Sequence, residues 1–249
     1  MIDRMLSRTM LAATLLVAAS AHARDGAGES QQGWSGSGEL GWVSTSGNSN
    51  TQTLNAKLAA QLDRDLWTYK GGLNVLRASE DGDKTAERYE ATAKTQYHFN
   101  EKSYWFNAFR YEDDRFSGFD YQTTLTTGYG RTLLDSDTQK LDTEIGVGAR
   151  RSKPSDGSGT MPESSTEAIL RGGAEYAWRI TDTTKFTNDL LVESGQDNTY
   201  AENQAALSVA INSRFSVKLG YAVRHNSEVP VGTDKTDTVS TVNLVYSFE

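Results

Sequence analysis

The chain has 249 residues, of which 37% are hydrophobic, 10% are aromatic and none is cysteine, and its formal net charge is −8 at pH 7. The missing cysteines exclude disulfide frameworks, thiol catalysis and cysteine-bound zinc, and the acidic balance argues against a nucleic-acid binder held by a basic surface. The aromatic share argues against a disordered chain, and no segment beyond the first two dozen residues is long and apolar enough for a membrane helix.

The N-terminal residues have the pattern of a secretory signal peptide. Two arginines precede an apolar stretch from Thr9 to Ala19, and small-residue A-x-A motifs end at Ala21 and Ala23. This apolar stretch is too short to span a membrane, and the small residues after it suit cleavage by a signal peptidase. We therefore predict export to the bacterial envelope. The predicted organisation is a cleaved signal peptide in 1–23, a flexible lead in 24–33 and a single folded domain in 34–249.

From Trp34 onward, apolar and polar residues alternate with a period of two. Leu54 and Leu58, for example, stand on the opposite side of their segment from Asn55 and Lys57. Such alternation is typical of strands with two different faces, and most segments exceed the usual length of soluble strands. The predicted fold is all-β, a transmembrane antiparallel up-and-down β-barrel of about twelve strands. The predicted strands are 34–45, 51–62, 66–79, 85–99, 102–113, 119–133, 139–151, 164–180, 185–194, 199–211, 214–226 and 236–248.

The breaks between the predicted strands alternate in length. Short breaks such as Asn100-Glu101 alternate with breaks that are as long or longer, such as Asp81 to Lys84 and Ser152 to Glu163. Outer-membrane barrels have short periplasmic turns, longer outer loops and an aromatic girdle at each interface. A soluble sandwich or lipocalin-like barrel is the alternative, but its interior would be apolar, whereas the second face here is charged. The expected girdle residues are Trp42, Trp67, Tyr97, Phe99, Trp178, Phe186, Phe215 and Phe248, with Tyr89, Tyr111, Tyr121 and Tyr221 toward the long breaks.

Four sequence motifs resemble those of a known family. They are Trp34 to Gly41 (WSGSGELG), Thr45 to Thr51 (TSGNSNT), Arg110 to Tyr121 (RYEDDRFSGFDY) and Val242 to Phe248 (VNLVYSF). Over 34–248 the chain resembles the YdiY-like family of salt-induced outer-membrane proteins, whose function is unknown. The resemblance implies an outer-membrane β-barrel and supplies no catalytic residue. The chain departs from this class, whose members usually end on the aromatic residue, by adding Glu249.

If the apolar face meets lipid, the polar face lines the lumen and carries charges of both signs in nearly equal number. Eight-stranded barrels are filled by side chains and sixteen-stranded ones leave a channel, so twelve strands leave two hypotheses open. The charges form an interlocked ion-pair network that closes the lumen, or they line a narrow channel for small polar or charged solutes. The residues expected in the lumen are Lys57, Lys70, Arg88, Lys94, Arg110, Arg150, Arg171, Arg179, Lys218, Arg224, Glu90, Glu112, Asp142, Glu144, Glu167, Glu175, Asp189, Glu193 and Glu202.

Several glycines fall mostly on the same polar face. They are Gly128, Gly130, Gly146, Gly148, Gly172, Gly173 and Gly220. Such glycines either clear space for a solute, or lie under bulky neighbours and ease the curvature of the strands. The sequence favours the second interpretation, since small residues inside a strand commonly accommodate a close approach.

A surface hydrolase is a third hypothesis, and the sequence gives it little support. After removal of the predicted signal, two histidines remain, His98 and His225. A nucleophilic triad needs three side chains in contact, but Asn226 lies on the opposite face of the strand from its neighbour His225. Acidic pairs such as Asp81 and Asp83 fall on exposed loop tips, outside the buried setting that a catalytic carboxylate pair needs. We expect no enzymatic activity, no cofactor and no metal site.

The expected partners follow from an outer-membrane location. They are the lipid and lipopolysaccharide of the outer membrane, the barrel-assembly machinery acting on the C-terminal strand, and small solutes, with no nucleic acid. Acidic residues in the outer loops either stay solvated or weakly bind divalent cations that bridge to lipopolysaccharide. We expect a monomer that acts as a narrow diffusion channel, with a closed structural or envelope-stress barrel as the alternative.

Overall fold

The computed structural model describes residues 33–45, 51–115, 117–154, 164–229 and 233–248. The predicted signal peptide, nearly all of the predicted lead and the terminal Glu249 lie outside the described residues. Among the described residues, no helix is long and apolar enough to cross a membrane.

The described residues form twelve long strands, as the alternation predicts. Each observed strand begins and ends within a few residues of its predicted range, because the change from alternating residues to turn residues marks both ends. The strands are β1 Gly33–Thr45, β2 Thr51–Arg64, β3 Trp67–Glu80, β4 Asp83–Asn100, β5 Ser103–Asp114, β6 Phe119–Asp135, β7 Gln139–Pro154, β8 Ser165–Arg179, β9 Thr184–Ser194, β10 Thr199–Ala210, β11 Phe215–Asn226 and β12 Thr236–Phe248.

The strands close into one barrel with up-and-down connectivity. Every strand pairs antiparallel with its neighbours in sequence, and β1 closes the sheet against β12. The closing register runs from the pair Gly36 and Phe248 to the pair Leu40 and Leu244. Over this stretch the two edge strands are paired with each other, as a sheet in lipid requires, because an unpaired backbone group there costs several kcal/mol.

One predicted loop is shorter than expected. The sequence predicted a break from Asp81 to Lys84, but β4 already begins at Asp83, which leaves Asp81 and Gly82 as a two-residue turn. Both residues have positive φ angles, 50° for Asp81 and 93° for Gly82. This is the type I′ arrangement, which an Asp-Gly pair favours because its twist matches that of the flanking strands. The hairpin of β3 and β4 therefore stays paired to its tip.

The two faces of the barrel are reversed relative to a soluble protein. Large apolar side chains stand on the outer surface, where Ile145 is 69% and Leu125 is 61% exposed. The side chains that are buried are mostly polar or charged, and Arg150 and Glu193 are 0% exposed. An apolar exterior around a polar interior is the pattern of a barrel that meets lipid.

The aromatic side chains predicted for the girdles lie on the outer surface. Most of them are well exposed, and Tyr89, Tyr121 and Phe186 are half-buried. At the end that holds the chain termini, Trp67 packs against Tyr97 with ring centroids 5.0 Å apart, and Phe215 packs against Tyr246 at 5.2 Å. Trp105 pairs with Tyr97 across β4 and β5 and belongs to the same ring, although the sequence did not single it out.

Candidate functional site

Side chains on the inner face meet across the barrel. Arg110 on β5 donates to Glu193 on β9 at 2.6 Å, and Lys70 on β3 donates to Glu175 on β8 at 3.3 Å. These strands are not neighbours in the barrel, so only side chains that point into the lumen make such contacts. Because side-chain direction alternates along each strand, the charged residues predicted for the lumen fall on these same inner faces.

Ten of these residues form one continuous series of ion pairs, which we call the ion-pair chain. Its first half lies on β4, β5 and β9. Arg88 Nη2 is 2.6 Å from Glu90 Oε2 and 2.8 Å from Glu112 Oε2. Arg110 then joins Glu112 at 3.3 Å to Glu193 at 2.6 Å. The members in order are Glu90, Arg88, Glu112, Arg110, Glu193, Arg171, Glu144, Lys94, Glu175 and Lys70.

The second half of the ion-pair chain continues on β8 and β7 and returns to β4. Arg171 Nη1 is 3.1 Å from Glu193 Oε1, and Arg171 Nη2 is 3.6 Å from Glu144 Oε2. Glu144 also pairs with Lys94 and accepts a hydrogen bond of 3.0 Å from the Tyr104 hydroxyl. Every carboxylate of the ion-pair chain except the terminal Glu90 therefore serves more than one donor, which offsets the cost of removing it from water.

Glu175 completes the ion-pair chain by holding two lysines. Lys94 Nζ is 2.9 Å and Lys70 Nζ is 3.3 Å from its carboxylate oxygens. Lys70 and Lys94 are directly opposite each other on β3 and β4, a pairing of like charges that would be unfavourable without an anion between them. The chain alternates in sign along its whole length and ties β3, β4 and β5 to β7, β8 and β9 across the lumen.

Aromatic rings and glycines support the ion-pair chain. The Arg110 guanidinium lies 4.3 Å from the centroid of the buried Tyr200 ring. A Cβ atom added at Gly130 would be 2.2 Å from the Tyr104 ring, and one at Gly146 would be 3.0 Å from Phe106 Cζ. At these two positions the sequence interpretation that glycines lie under bulky neighbours agrees with the contacts.

Three further groups of lumen charges are paired outside the ion-pair chain. Lys218 Nζ is 2.8 Å from Glu39 Oε1, and Asn243 donates to Glu39 at 3.1 Å. Arg224 is 2.7 Å from Glu202. Arg150 lies 2.6 Å from Glu167 at the outer end of the barrel and also donates to the Asn198 carbonyl.

Asp142 and Arg179 lie toward the end of the barrel where β1 begins and β12 ends. Asp142 is 3.3 Å from Lys140 and accepts a 2.5 Å hydrogen bond from Thr132. Arg179 is exposed and donates only to the Asp137 carbonyl in a turn. The sequence grouped Arg179 with the lumen charges, but its side chain takes no part in the ion-pair chain.

Space remains in the lumen beside the ion-pair chain. A cavity of about 340 Å³ is bordered by residues of β2, β4, β5 and β7 to β10. A smaller cavity of about 80 Å³ lies among β1, β2, β3 and β9 to β12. Lys57, Asp189 and Gln204 line both cavities, so the two spaces adjoin. Within the described part of the chain, neither Lys57 nor Asp189 has an ion pair or a hydrogen bond to another side chain.

Several residues that matter in the lumen were not singled out from the sequence. Glu39 lies on the inner face of β1, and continuing the alternation of β1 would have found it. Tyr104, Tyr200 and Asn243 also face inward. The two tyrosines gave no signal, because aromatic residues in a barrel strand are equally expected in a girdle, and Asn243 carries no charge that would have marked it.

The histidines considered for a hydrolase are apart from each other and from any triad. His98 Nε2 is 3.4 Å from Thr68 Oγ1, and His225 Nδ1 is 2.9 Å from Thr236 Oγ1. Asn226 instead accepts from Asn198 at 2.8 Å on the inner side. Among the described residues, no cluster of acidic or histidine side chains could hold a metal ion.

The reversed faces, the closed twelve-stranded sheet and the aromatic rings define a transmembrane β-barrel of the outer-membrane class. Residues 38–248 match the family described as "Protein of unknown function, DUF481". The chain is 30% identical over 210 residues to the "Uncharacterized protein YdiY" of Escherichia coli (strain K12), with 83% of this chain and 80% of that protein covered. The chain therefore belongs to this family, as the resemblance of its motifs implied.

Solved structures with a similar fold include a porin and an outer membrane channel. The NanC porin aligns with a TM-score of 0.52 at 11% identity, covering 87% of this chain and 100% of that one. An outer membrane channel from Pseudomonas putida F1 aligns with a TM-score of 0.47 at 12% identity, covering 91% of this chain and 100% of that one. At such identities the likeness shows the fold alone.

Proposed function

We propose that this protein is a narrow outer-membrane channel through which small polar or charged solutes diffuse. The observation that carries the proposal is the pair of adjoining cavities beside the ion-pair chain, lined by charged and amide side chains. Twelve strands enclose more space than side chains fill in an eight-stranded barrel. The ion-pair chain crosses that space, so the proposed path admits small solutes and excludes large ones. The proposal involves no catalytic step.

The proposal includes how the chain reaches its membrane. Residues 1–23 direct export, and β12, which ends in Phe248, carries the terminal signal read by the barrel-assembly machinery. The exposed apolar belt then contacts outer-membrane lipid and lipopolysaccharide. These assignments rest on the sequence pattern and on the apolar exterior.

The second candidate is a structural barrel with a closed lumen. It is favoured by the complete burial of Arg150 and Glu193 and the near-complete burial of Arg88 at 2% exposure. Side chains so buried occupy the outer part of the barrel with little room for water. A closed barrel and a narrow channel differ in one measurable property, which is whether ions cross the inserted protein.

Adjacent glycines on β8 provide a matched test. Gly173 borders the larger cavity, and an added Cβ there would be 3.6 Å from the nearest backbone atom, whereas an added Cβ at Gly172 would have nothing within 4 Å. Gly172 is on the outer face, because neighbouring residues of a strand point to opposite sides. In Gly173→Phe the ring enters the cavity, and in Gly172→Phe it enters lipid.

The measurement is single-channel current in KCl after the protein, extracted from outer membranes, is inserted into a planar bilayer. We expect discrete current steps from the wild type, clearly smaller steps from Gly173→Phe and unchanged steps from Gly172→Phe. Insertion of all three is checked by heat-dependent gel mobility. An inserted wild-type barrel that passes no current would favour the closed structural barrel, and equal steps from both variants would show that ions do not pass the cavity.

A further inference from the structure

We propose that the lumen holds a binding site for a small zwitterionic solute, in which Lys57 contacts the anionic group of the solute and Asp189 its cationic group. The inference rests on the proposed function, because the solute reaches this site through the lumen. It adds the class of solute, which neither the family nor the fold assigns.

The first argument is that nearly every charged side chain around the two cavities already has an ion-pair partner. The charged residues that border them include members of the ion-pair chain and the residues Glu39, Lys218, Arg224, Glu202 and Asp142, and each of these has an ion-pair partner. Among the described residues lining the cavities, Lys57 and Asp189 are the charges left without an ion pair or hydrogen bond. One is a cation and the other an anion.

The second argument is that the carboxylate beside Lys57 on the neighbouring strand is already paired. Lys57 is directly opposite Glu39 on β1 and Asn74 on β3, but Glu39 is held by Lys218 and Asn243. A carboxylate that already serves two donors has little left to offer a third. Lys57 therefore points a free ammonium group at the cavities.

Asp189 also lacks a partner on the two strands beside it. It is directly opposite Glu175 on β8 and Gln204 on β10. Glu175 has the same sign, and its two lysine partners are bound to it. Gln204 directs its amide to Glu202 at 2.8 Å. Asp189 therefore faces the cavities as a carboxylate without an ion pair or hydrogen bond, and it interacts with Lys57, Lys218 and Lys70 only over a longer distance.

The third argument is position and size. Lys57 on β2 and Asp189 on β9 are separated around the barrel by β1, β12, β11 and β10, so the two charges approach the cavities from different walls. The larger cavity, about 340 Å³, falls at the lower end of the range of small-molecule sites, about 300 to 1,000 Å³.

These features select for a solute that carries both charges. A simple anion would leave Asp189 unmatched and repelled, and a simple cation would do the same to Lys57. A neutral solute would leave the half-buried Lys57 and the lumen-exposed Asp189 without an ion-pair partner, so it would gain neither charge-assisted contact. A molecule of amino-acid size with an ammonium and a carboxylate group satisfies both charges at once.

The test uses L-alanine, which is zwitterionic at neutral pH and carries no net current. Added to the bilayer chamber, it should reduce the KCl current through the wild type more than glycerol at the same concentration does. Sodium acetate and methylammonium chloride, which carry one charge each, should reduce the current less than L-alanine. The half-blocking concentration of L-alanine is the measured quantity.

The variants are Lys57→Met and Asp189→Asn, with Lys102→Met and Asp182→Asn as matched controls in exposed periplasmic turns. Each lumen substitution removes one charge-assisted contact, so we expect the half-blocking concentration to rise roughly tenfold. The control variants should block like the wild type. The exchange variant Lys57→Asp with Asp189→Lys restores one charge of each sign and should recover much of the block.

The outcomes separate the two proposals. A conducting barrel in which L-alanine blocks no more than glycerol, or in which Lys57→Met and Asp189→Asn block like the wild type, would overturn the binding site and leave the channel standing. A barrel that inserts but conducts nothing would overturn the channel. In that case calorimetry of L-alanine binding to the detergent-solubilised protein decides the site: binding that both variants abolish supports it, and no binding to the wild type refutes it.

Discussion

Replacing Arg171 should destabilise the barrel far more than replacing Arg179, although both arginines lie on the inner face of β8. Arg171 contacts Glu193 at 3.1 Å and Glu144 at 3.6 Å, and its side chain is 14% exposed. Arg179 is exposed and contacts only the carbonyl of Asp137. The two substitutions therefore compare an arginine inside the ion-pair chain with an arginine outside it on the same strand.

The expected loss in the free energy of unfolding depends on which ion pairs remain after Arg171→Gln. A buried hydrogen bond to a charged group contributes about 1.5–3 kcal/mol, and the contact with Glu144 is long and adds less. Glu193 keeps Arg110 and Glu144 keeps Lys94, so the loss stays below the ~3–5 kcal/mol of an uncompensated buried charge. We expect a loss of about 2 kcal/mol for Arg171→Gln and less than ~0.5 kcal/mol for Arg179→Gln.

The assay is reversible urea unfolding in lipid vesicles, followed by tryptophan fluorescence. The midpoint should fall in Arg171→Gln while the slope stays that of the wild type, since the surface exposed on unfolding is unchanged. Equal midpoints for the two variants, or a larger loss for Arg179→Gln, would refute the reasoning that the ion-pair chain stabilises the lumen.

The same unfolding assay checks two predictions about glycines. Gly130→Ala should cost about 1–3 kcal/mol, because its Cβ would stand 2.2 Å from the Tyr104 ring and force the ring away from its place. Gly172→Ala should be neutral or stabilising by up to ~1 kcal/mol, since its Cβ meets nothing within 4 Å and alanine loses less chain entropy on folding than glycine. An equal loss of stability in Gly130→Ala and Gly172→Ala would contradict the packing argument. Gly82→Ala should cost about 1–2 kcal/mol, because φ at Gly82 is 93°, while Asp81→Asn, which keeps a residue suited to this turn, should leave the midpoint unchanged. A Gly82→Ala midpoint equal to that of the wild type would contradict the turn assignment.

The strand pattern was predictable because it depends on local chemistry. Alternation along β7, for example, places Ile145 and Val147 outside and Glu144 inside without any knowledge of the partner strands. The two-residue turn at Asp81 and Gly82 was within reach of the sequence as well, since Asp-Gly is a hairpin signal. It was assigned to a longer loop because the polar residues after it resemble loop residues.

The pairing of the lumen charges was not predictable, because it depends on closure and register. Arg110 and Glu193 are 83 positions apart in the chain, on strands that are not neighbours. Which charges meet across the lumen is decided by how the strands are staggered around the closed barrel, and no local pattern encodes that stagger.

The sequence by itself therefore determined the class of the protein: strands of one kind, an apolar exterior and a charged interior, since each follows from the period of two along a single strand. The tertiary structure alone decided that most interior charges neutralise one another and that Lys57 and Asp189 are left facing a cavity. The physical reason is that a charge finds its partner by distance in the closed barrel, and that distance exists only once all twelve strands are in register.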